Sequence, residues 1–201
     1  MPIPRKQPRQ QRSQHTYDAI LGAAAQLFER DGYAKATTNH IAERAGVSIG
    51  SLYQYFPNKD ALLYALGEQH MRHLVAEMDG VLESLRRTEP PLEDTVRRFV
   101  GALVDLHLAE PHTHRLLFDQ APRPPEAARQ LREIQQGMAA EVAGHLRRLD
   151  AGGPGYDLTA LLLVQSVEGM LHGALLEPPT GTTTAEVAEA MVRFCLRALG
   201  R

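Results

Sequence analysis

The chain has 201 residues, 43% of them hydrophobic and 23% charged, so it is long enough to bury a core and is not a disordered segment. Its one cysteine, Cys195, excludes an internal disulfide and a four-ligand zinc cage of cysteines. The net charge of −2 is unevenly spread, because residues 1–60 hold 8 Lys and Arg against 5 Asp and Glu while the remainder holds 14 against 19. The basic part is therefore the small amino-terminal one, as expected if only that end meets a polyanion.

The sequence gives no sign of a secreted or membrane protein. No apolar run of the kind a signal peptide needs follows the basic first residues. The longest uninterrupted apolar stretch, residues 160–164, is too short to cross a bilayer. We expect a cytoplasmic protein without a membrane partner.

Helical periodicity dominates the chain, and glycine and proline residues divide it into segments. Residues 1–12 hold three prolines and the four basic residues Arg5, Lys6, Arg9 and Arg12, which predicts a disordered basic arm. A first helix is predicted over residues 13–31 and ends at Gly32. Two short helices are predicted over 38–45 and 49–55, and Asn58 then caps a long helix that runs to about residue 87.

Further helices lie between the later proline and glycine breaks, which gives an all-α chain of about nine helices. The predicted arrangement is a three-helix domain over residues 13–57 and a larger helical domain over residues 58–201. The larger one is the candidate ligand-binding and dimerisation domain.

Residues 37–56, TTNHIAERAGVSIGSLYQYF, have the pattern of a helix-turn-helix. Thr37 or Thr38 can cap the first helix, Gly46 supplies the left-handed residue that ends it, and Ser48 can cap the second. Leu52 and Phe56 form the inward stripe of that second helix. Its outward face then consists mainly of small and hydrogen-bonding residues, as a helix in the major groove of DNA requires. These outward residues are Ile49, Gly50, Ser51, Tyr53, Gln54 and Tyr55.

A set of markers occurs between about residues 14 and 63, under a third of the chain. The markers are Phe28, Gly32-Tyr33, Thr37-Thr38, Ile41-Ala42, Ala45-Gly46-Val47-Ser48, Gly50, Leu52-Tyr53, Tyr55-Phe56 and Lys59. With these residues the segment resembles the TetR (tetracycline-repressor-like) family of regulators. The rest of the chain resembles that family only in its layout of helices.

The resemblance implies that the second helix of the motif reads bases and that Thr38, Tyr53 and Lys59 hold phosphates. The candidate DNA-contacting residues are Thr37, Thr38, Ser48, Ile49, Gly50, Ser51, Tyr53, Gln54, Tyr55 and Lys59. Ile49 departs from the Lys, Arg, Pro or Thr that family members often have there. An apolar side chain at this position either touches a thymine methyl or loses a phosphate contact.

Residues 156–176 are apolar around nearly the whole helix, which predicts burial on two sides. One side can face the chain's own core and the other a second copy, with the last helix completing a two-fold interface of the kind the family uses. A single central core helix is the alternative. The candidate interface residues are Leu161, Val164, Glu168, Leu171, Leu175, Val187, Met191 and Phe194.

The middle helices are the candidate site of a small, largely apolar effector, and a cavity of a few hundred cubic ångströms would favour that role. The candidate pocket residues, most of which would serve equally well as ordinary core, are Met71, Leu74, Met78, Phe99, Leu103, His107, Phe118, Met138, Gln165 and His172. The histidines at 107, 112 and 114, and those at 70 and 73, lack a cysteine or a regular ligand spacing. We therefore expect no bound metal and no other cofactor.

These features together predict a ligand-responsive transcriptional repressor that binds a palindromic double-stranded DNA operator as a homodimer and is released by a small molecule. The sequence has no Gly-rich phosphate loop, nucleophile elbow or metal-binding helix signature, which argues against an enzyme. A DNA-binding accessory protein without an effector is the alternative. Activation instead of repression would depend on the position of the operator and not on the chain.

Overall fold

The computed structural model describes residues 3–4 and 11–200, so most of the predicted basic arm, including Arg5, Lys6 and Arg9, lies outside the described residues. The described residues form nine α-helices and one π-helical segment, with no strand among them, and the all-α prediction is confirmed. The helices are α1 (Gln11–Asp31), α2 (Thr38–Arg44), α3 (Ile49–Tyr55), α4 (Lys59–Thr88), α5 (Leu92–Ala109), α6 (Pro111–Gln120), α7 (Pro125–Leu149), α8 (Tyr156–Met170), the π-helical segment (Leu171–Leu175) and α9 (Thr184–Ala198). Because α1 begins at Gln11, Arg12 belongs to this helix and not to the arm.

The chain forms two compact units. The first contains the described residues up to Arg72 together with Arg115–Pro124, and the second contains His73–His114 and the described residues from Pro125 onward. The sequence places the domain boundary at residue 58, whereas the structure places it inside α4. The physical reason is that Ala61, Leu62 and Leu63 are fully buried in the core of the first unit, so the first turns of α4 belong to that unit.

The core of the first unit is formed by the facing apolar stripes of its helices. It includes Ile20, Leu27 and Phe28 of α1, Ile41 of α2, Leu52 and the adjacent Phe56, and Leu62 of α4. Since α2 and α3 have only seven residues each, they are too short to be stable alone and depend on this shared core.

The second unit is a bundle in which α8 packs against α7, α5 packs against α9, and the π-helical segment contacts both α5 and α9. Its core includes Val100, Ala143, Val167, Leu175 and Met191. The amino terminus of α9 is fixed by a capping box, in which Thr183 accepts from the backbone N–H of Glu186 at 3.2 Å and the Glu186 carboxylate accepts from the backbone N–H of Thr183 at 2.8 Å.

By length and hydropathy alone, residues Tyr156–Leu175 would be long enough to cross a membrane. This is weak support for a membrane span, because the core helix of a bundle passes the same test. Here the segment packs against α5, α7 and α9, and 28% of its most apolar window is buried.

Candidate functional site

The turns of the helix-turn-helix form as the sequence predicts. Thr37 Oγ1 accepts a hydrogen bond from the backbone N–H of His40 at 3.3 Å, and Ser48 Oγ accepts one from the backbone N–H of Ser51 at 3.1 Å. Gly46 between the two helices has φ +68°, the left-handed conformation that an L side chain rarely adopts. The two capped helices are therefore fixed in their relative direction by local sequence.

The outward face of α3 presents polar, small and apolar groups side by side. Ile49 is 37% exposed and Tyr53 is 41% exposed, and the neighbouring Ser48, Gly50 and Gln54 are exposed as well. The half-buried Ser51 places its hydroxyl 2.9 Å from that of Ser48. On the opposite side, Leu52 and Phe56 are fully buried, as expected.

One residue that the sequence assigns to the outward face of α3, Tyr55, lies on its buried face. Tyr55 is 7% exposed and its ring lies edge-on to that of Tyr17, with the ring centroids 6.0 Å apart. The expectation that Tyr55 faces outward is therefore wrong. The physical reason is helical spacing, because Tyr55 follows Leu52 by three residues and so lies on the same buried face.

Two of the candidate phosphate-binding residues meet across the helix-turn-helix. Thr38, in the first turn of α2, has its Oγ1 3.1 Å from the hydroxyl oxygen of Tyr53 on α3. Since either oxygen can donate, each hydroxyl retains a further hydrogen-bonding position that can be offered to a phosphate.

Lys59 has protein partners of its own. Its Nζ donates to the carbonyl oxygens of Tyr33 at 2.5 Å and Ala34 at 3.3 Å, and it lies 4.2 Å from the centroid of the Tyr33 ring. The Tyr33 hydroxyl in turn donates to the carboxylate of Asp60, and burial together with that hydrogen bond raises the pKa of Tyr33. An ammonium group has three donors, so Lys59 fixes the loop after α1 and keeps one N–H for another acceptor.

The start of α4 is held by the residue that the sequence indicates. Asn58 Oδ1 accepts from the backbone N–H of Ala61 at 2.9 Å, which is the N-cap geometry predicted for the long helix.

The second unit contains a cavity of about 60 Å³ between α4, α5, α7, α8 and α9. Fifteen residues line it and none of them is charged. Phe99 is the one candidate pocket residue among them, and the polar residues Thr95, His145 and Cys195, which line the cavity without exposing a polar atom to it, were missed. Their only sequence signal is that they lie among apolar residues on the buried faces of their helices, which core residues share. The volume is well below the few hundred cubic ångströms that a ligand pocket usually has, so cavity size alone does not support a sensor.

Two further candidates, His107 and His172, meet in a cluster with His114. The ring of His107 stacks on that of His114 with a centroid distance of 4.2 Å, and it lies 5.1 Å from the ring of His172. His107 Nδ1 is 2.7 Å from the carbonyl oxygen of Leu103, and burial lowers the pKa of His107. Among the residues that the structure describes, no group of three or more His, Cys, Asp or Glu side chains is arranged to hold a metal ion.

The remaining candidate pocket residues do not converge on the cavity wall. Within the second unit, Met78 is buried, Gln165 is exposed, and Leu74, Leu103 and Met138 are half-buried. Met71 and Phe118 belong to the first unit, where Phe118 is 43% exposed.

Half of the candidate dimer residues lie in the core of a single chain. Leu171, Leu175, Val187 and Met191 are between 0% and 7% exposed, so the expectation that they face a second copy is wrong. Their side chains fill the space between the π-helical segment, α5 and α9.

The other candidates lie nearer the surface. Phe194 is 46% exposed, and Leu161, Val164 and Glu168 are half-buried. The apolar side chains of α8 that remain most accessible are Leu158 at 63% and Leu162 at 54%, two residues one helical turn apart that were not among the candidates.

Comparison with known proteins places both units in one family. Residues 20–66 match the family model described as bacterial regulatory proteins of the tetR family, and residues 91–199 match the tetracyclin repressor-like C-terminal domain. The curated relatives include the nucleoid occlusion factor SlmA of Actinobacillus pleuropneumoniae, which is 28% identical over 111 residues, 55% of this chain and 52% of that protein. They also include the HTH-type transcriptional activator FasR of Mycolicibacterium smegmatis, which is 36% identical over 100 residues, 50% of this chain and 44% of that protein.

This chain thus spans about half the length of the curated relatives it matches. Among solved structures, the transcriptional regulator FadR of Bacillus subtilis in complex with stearoyl-CoA has the same fold, with a TM-score of 0.65 at 16% identity over 90% of this chain and 98% of that one. Since the carboxyl-terminal family model alone covers more than half of the residues, the chain belongs to the TetR family of DNA-binding transcription regulators.

Proposed function

We propose that this regulator is a cytoplasmic repressor that binds a palindromic operator as a two-fold dimer and releases it when a largely apolar small molecule binds. The observation that carries the DNA-binding part is the outward face of α3. Gly50 and Gln54 are exposed there beside Ile49 and Tyr53, on a helix whose start is fixed by Ser48. An exposed glutamine can pair with a base edge, and an exposed isoleucine can contact a thymine methyl.

The dimer is proposed on three accessible apolar side chains, Leu158 and Leu162 of α8 and Phe194 of α9, two helices that contact each other. An exposed apolar patch favours association, and a two-fold pair buries the same patch on both copies. Two copies carry two reading helices, so the matching operator is an inverted repeat.

The effector is proposed to be largely apolar because the cavity wall is uncharged. The FadR structure that shares this fold contains stearoyl-CoA, whose acyl chain has that character. A cavity of about 60 Å³ holds only part of such a molecule, so a whole acyl chain would require the helices around it to separate.

The test of DNA binding is selection of randomised duplexes by the full chain, followed by sedimentation of the selected complex. We expect an inverted repeat bound by two copies of the chain. Gln54→Ala serves as the reading variant, and it should relax the preference at one position of each half-site. Binding of one copy to a site without symmetry would contradict the proposal.

The test of ligand response is thermal unfolding in the presence of stearoyl-CoA and other apolar small molecules. A molecule that binds the native chain raises the melting temperature by mass action, and an effector must also weaken operator binding. Activation is a further outcome to examine, because FasR is a transcriptional activator. Transcription from the operator, with the chain present and absent, distinguishes the two.

A second candidate function is that of a DNA-binding accessory protein without an effector. The specific observation in its favour is the similarity to the nucleoid occlusion factor SlmA, together with the small volume of the cavity. Under this alternative, small molecules that raise the melting temperature of the chain leave its affinity for its DNA site unchanged.

A further inference from the structure

The outward face of α3 begins with an apolar side chain. Ile49 is 37% exposed and directly follows the cap residue Ser48. Leu52, on the opposite side of the helix, is fully buried in the core of the first unit. An exposed isoleucine is a hydrocarbon surface that gains free energy when another apolar group covers it. The contact that suits this position is therefore an apolar one.

The hydroxyl groups on either side of Ile49 are engaged with each other. Ser48 Oγ accepts a hydrogen bond from the backbone N–H of Ser51 at 3.1 Å, and the two side-chain oxygens lie 2.9 Å apart. Ser48 and Ser51 thus use much of their hydrogen-bonding capacity within the first turn of α3. Ile49 lies between them in sequence and offers hydrocarbon alone.

The neighbouring Gly50 leaves room for a base edge. Outside the helix backbone and its chain neighbours, a Cβ placed on Gly50 would meet only Ser48 Oγ, at 3.8 Å. A position without a side chain allows a ligand to approach the backbone closely. One helical turn further along, Tyr53 is 41% exposed and its hydroxyl oxygen is 3.1 Å from that of Thr38. Ile49 therefore lies beside open space, one turn before a side chain that is held in place.

The major groove of DNA presents one kind of apolar group, the methyl group on C5 of thymine. 5-Methylcytosine carries a methyl group on the same ring carbon. An aliphatic side chain has no donor or acceptor, so it forms no hydrogen bond with the O4 of thymine or the N4 amino group of cytosine. The methyl group is the feature that such a side chain can recognise.

We propose that Ile49 recognises the C5-methyl group of one pyrimidine for each copy of α3 bound, in thymine or in 5-methylcytosine. The inference rests on the proposed function in one respect, which is that α3 reads DNA. It deepens that function by making the affinity for the operator depend on a single methyl group. Methylation of a cytosine at this position then strengthens binding.

The first test uses the duplex that the full chain selects, without an effector. Each thymine is replaced in turn by deoxyuridine, which removes the methyl group and keeps the pairing with adenine. In the unaltered chain we expect one position for each bound copy at which affinity falls about 3- to 5-fold, the factor that burial of one methyl group gives. In Ile49→Ser we expect the same replacement to leave the affinity nearly unchanged.

Two further variants serve as matched controls. Ile49→Val retains a branched hydrocarbon side chain and should keep most of the response to deoxyuridine. Gln54→Ala removes an exposed amide from the same face and should keep the full response at this position, while its base preference relaxes elsewhere. The deoxyuridine series with the unaltered chain requires no variant to fold, and thermal unfolding verifies the fold of each variant.

The second test distinguishes the two sources of the methyl group. At the sensitive position the thymine–adenine pair is replaced by cytosine–guanine, either unmethylated or methylated on C5 of the cytosine. We expect the unaltered chain to bind the methylated duplex about 3- to 5-fold more tightly than the unmethylated one, and Ile49→Ser to bind both equally. A response to the methyl group of thymine without one to 5-methylcytosine would uphold the contact and restrict it to thymine.

Two results would overturn the proposal. One is a selected site in which no thymine responds to deoxyuridine and no cytosine responds to methylation. The other is a methyl response that persists undiminished in Ile49→Ser, because another side chain then makes the contact. The proposed function fails differently: a selected site without inverted symmetry, or the lack of any effector, would contradict the repressor and leave the methyl measurement unaffected.

Discussion

The hydroxyl groups of Thr38 and Tyr53 lie 3.1 Å apart, which ties the first turn of α2 to the outward face of α3. The two residues are fifteen positions apart in sequence, and a capped turn centred on Gly46 brings them together. A hydrogen-bonded pair of this kind can present two hydroxyl oxygens to one phosphate in a fixed geometry.

The first prediction is that Thr38→Val and Tyr53→Phe act on the same contact. Each change should weaken binding of every duplex by about 0.5–1.5 kcal/mol, the range for one hydrogen bond. The double variant should lose less than the sum, because either single change already breaks the pair. Titration of selected and unrelated duplexes measures this, with Gln54→Ala as the variant expected to alter base preference instead. Strictly additive losses would show that the two hydroxyls act separately.

The second prediction concerns Lys59, which we expect to have both a structural and a DNA-binding role. Lys59→Ala removes the donor to the carbonyls of Tyr33 and Ala34, so the melting temperature should fall. The same change should reduce the salt dependence of DNA binding by about one phosphate.

The control for Lys59 is Lys35→Ala, which removes an exposed lysine of the neighbouring loop. This control should change the free energy of unfolding by no more than about 0.5 kcal/mol and so leave the melting temperature nearly unchanged. If Lys59→Ala lowers the melting temperature and leaves the salt slope intact, the residue is structural alone.

The third prediction separates the surface of the second unit from its core. Leu162→Glu and Phe194→Glu place charges on accessible apolar side chains, and they should weaken the dimer by about 2 kcal/mol or more while the monomer stays folded. Leu171→Ala, in contrast, should lower the stability of the fold itself by about 2–5 kcal/mol because that side chain is 3% exposed.

Sedimentation and thermal unfolding measure the two effects. Leu108→Glu, a charge at another partly exposed leucine, is the control that should change neither. Retention of the dimer in both surface variants would move the interface to a different face of the chain.

The fourth prediction concerns pH. Burial lowers the pKa of His107 and of His145 in the folded chain. Both rings therefore stay neutral there at pH values at which they are already protonated in the unfolded chain. As the pH falls below about 6.5, the unfolded state binds more protons than the folded state and the free energy of unfolding decreases. This pH range lies above the range in which Glu189 affects stability. The hydrogen bond from Arg97 lowers the pKa of Glu189, and the stability that this carboxylate contributes is lost below about pH 4.3.

Melting temperatures between pH 7.5 and pH 5.5 test this. The double variant His107→Gln/His145→Gln should show a flatter pH dependence than the original chain, and His112→Gln should not. The slope is the relevant quantity, since the substitutions also change stability at neutral pH. An equal slope in the double variant would mean that other groups set the acid sensitivity.

The local structure of the first unit could be predicted from sequence, because its signals are short-range. The caps at Thr37, Ser48 and Asn58 depend only on the next three residues of the chain. Tyr55 was placed on the wrong face although its three-residue spacing from Leu52 already indicates the buried side, where it packs against Tyr17 of α1.

The second unit was harder to predict. An all-round apolar helix indicates burial on two sides but not which side meets which neighbour, so Leu171 and Leu175 were assigned to the wrong face. His145 and Cys195 lie 50 residues apart in sequence and share a cavity wall only after α7 and α9 have packed. No local pattern carries that information.

The last prediction is that the proposed effector and the operator oppose each other by the same factor. The reading helix belongs to the first unit and the cavity to the second, while α4 is a single helix of 30 residues that contributes to both. If the effector lowers operator affinity by a given factor, the operator must lower effector affinity equally, because the two binding free energies form a closed cycle. Effector affinity is therefore measured with and without saturating operator. Gln54→Ala with the same duplex is the control. This variant should bind the duplex more weakly, while the effector affinity of the free chain stays unchanged. Equal effector affinities with and without saturating operator would make the molecule a ligand of the chain that does not control operator binding.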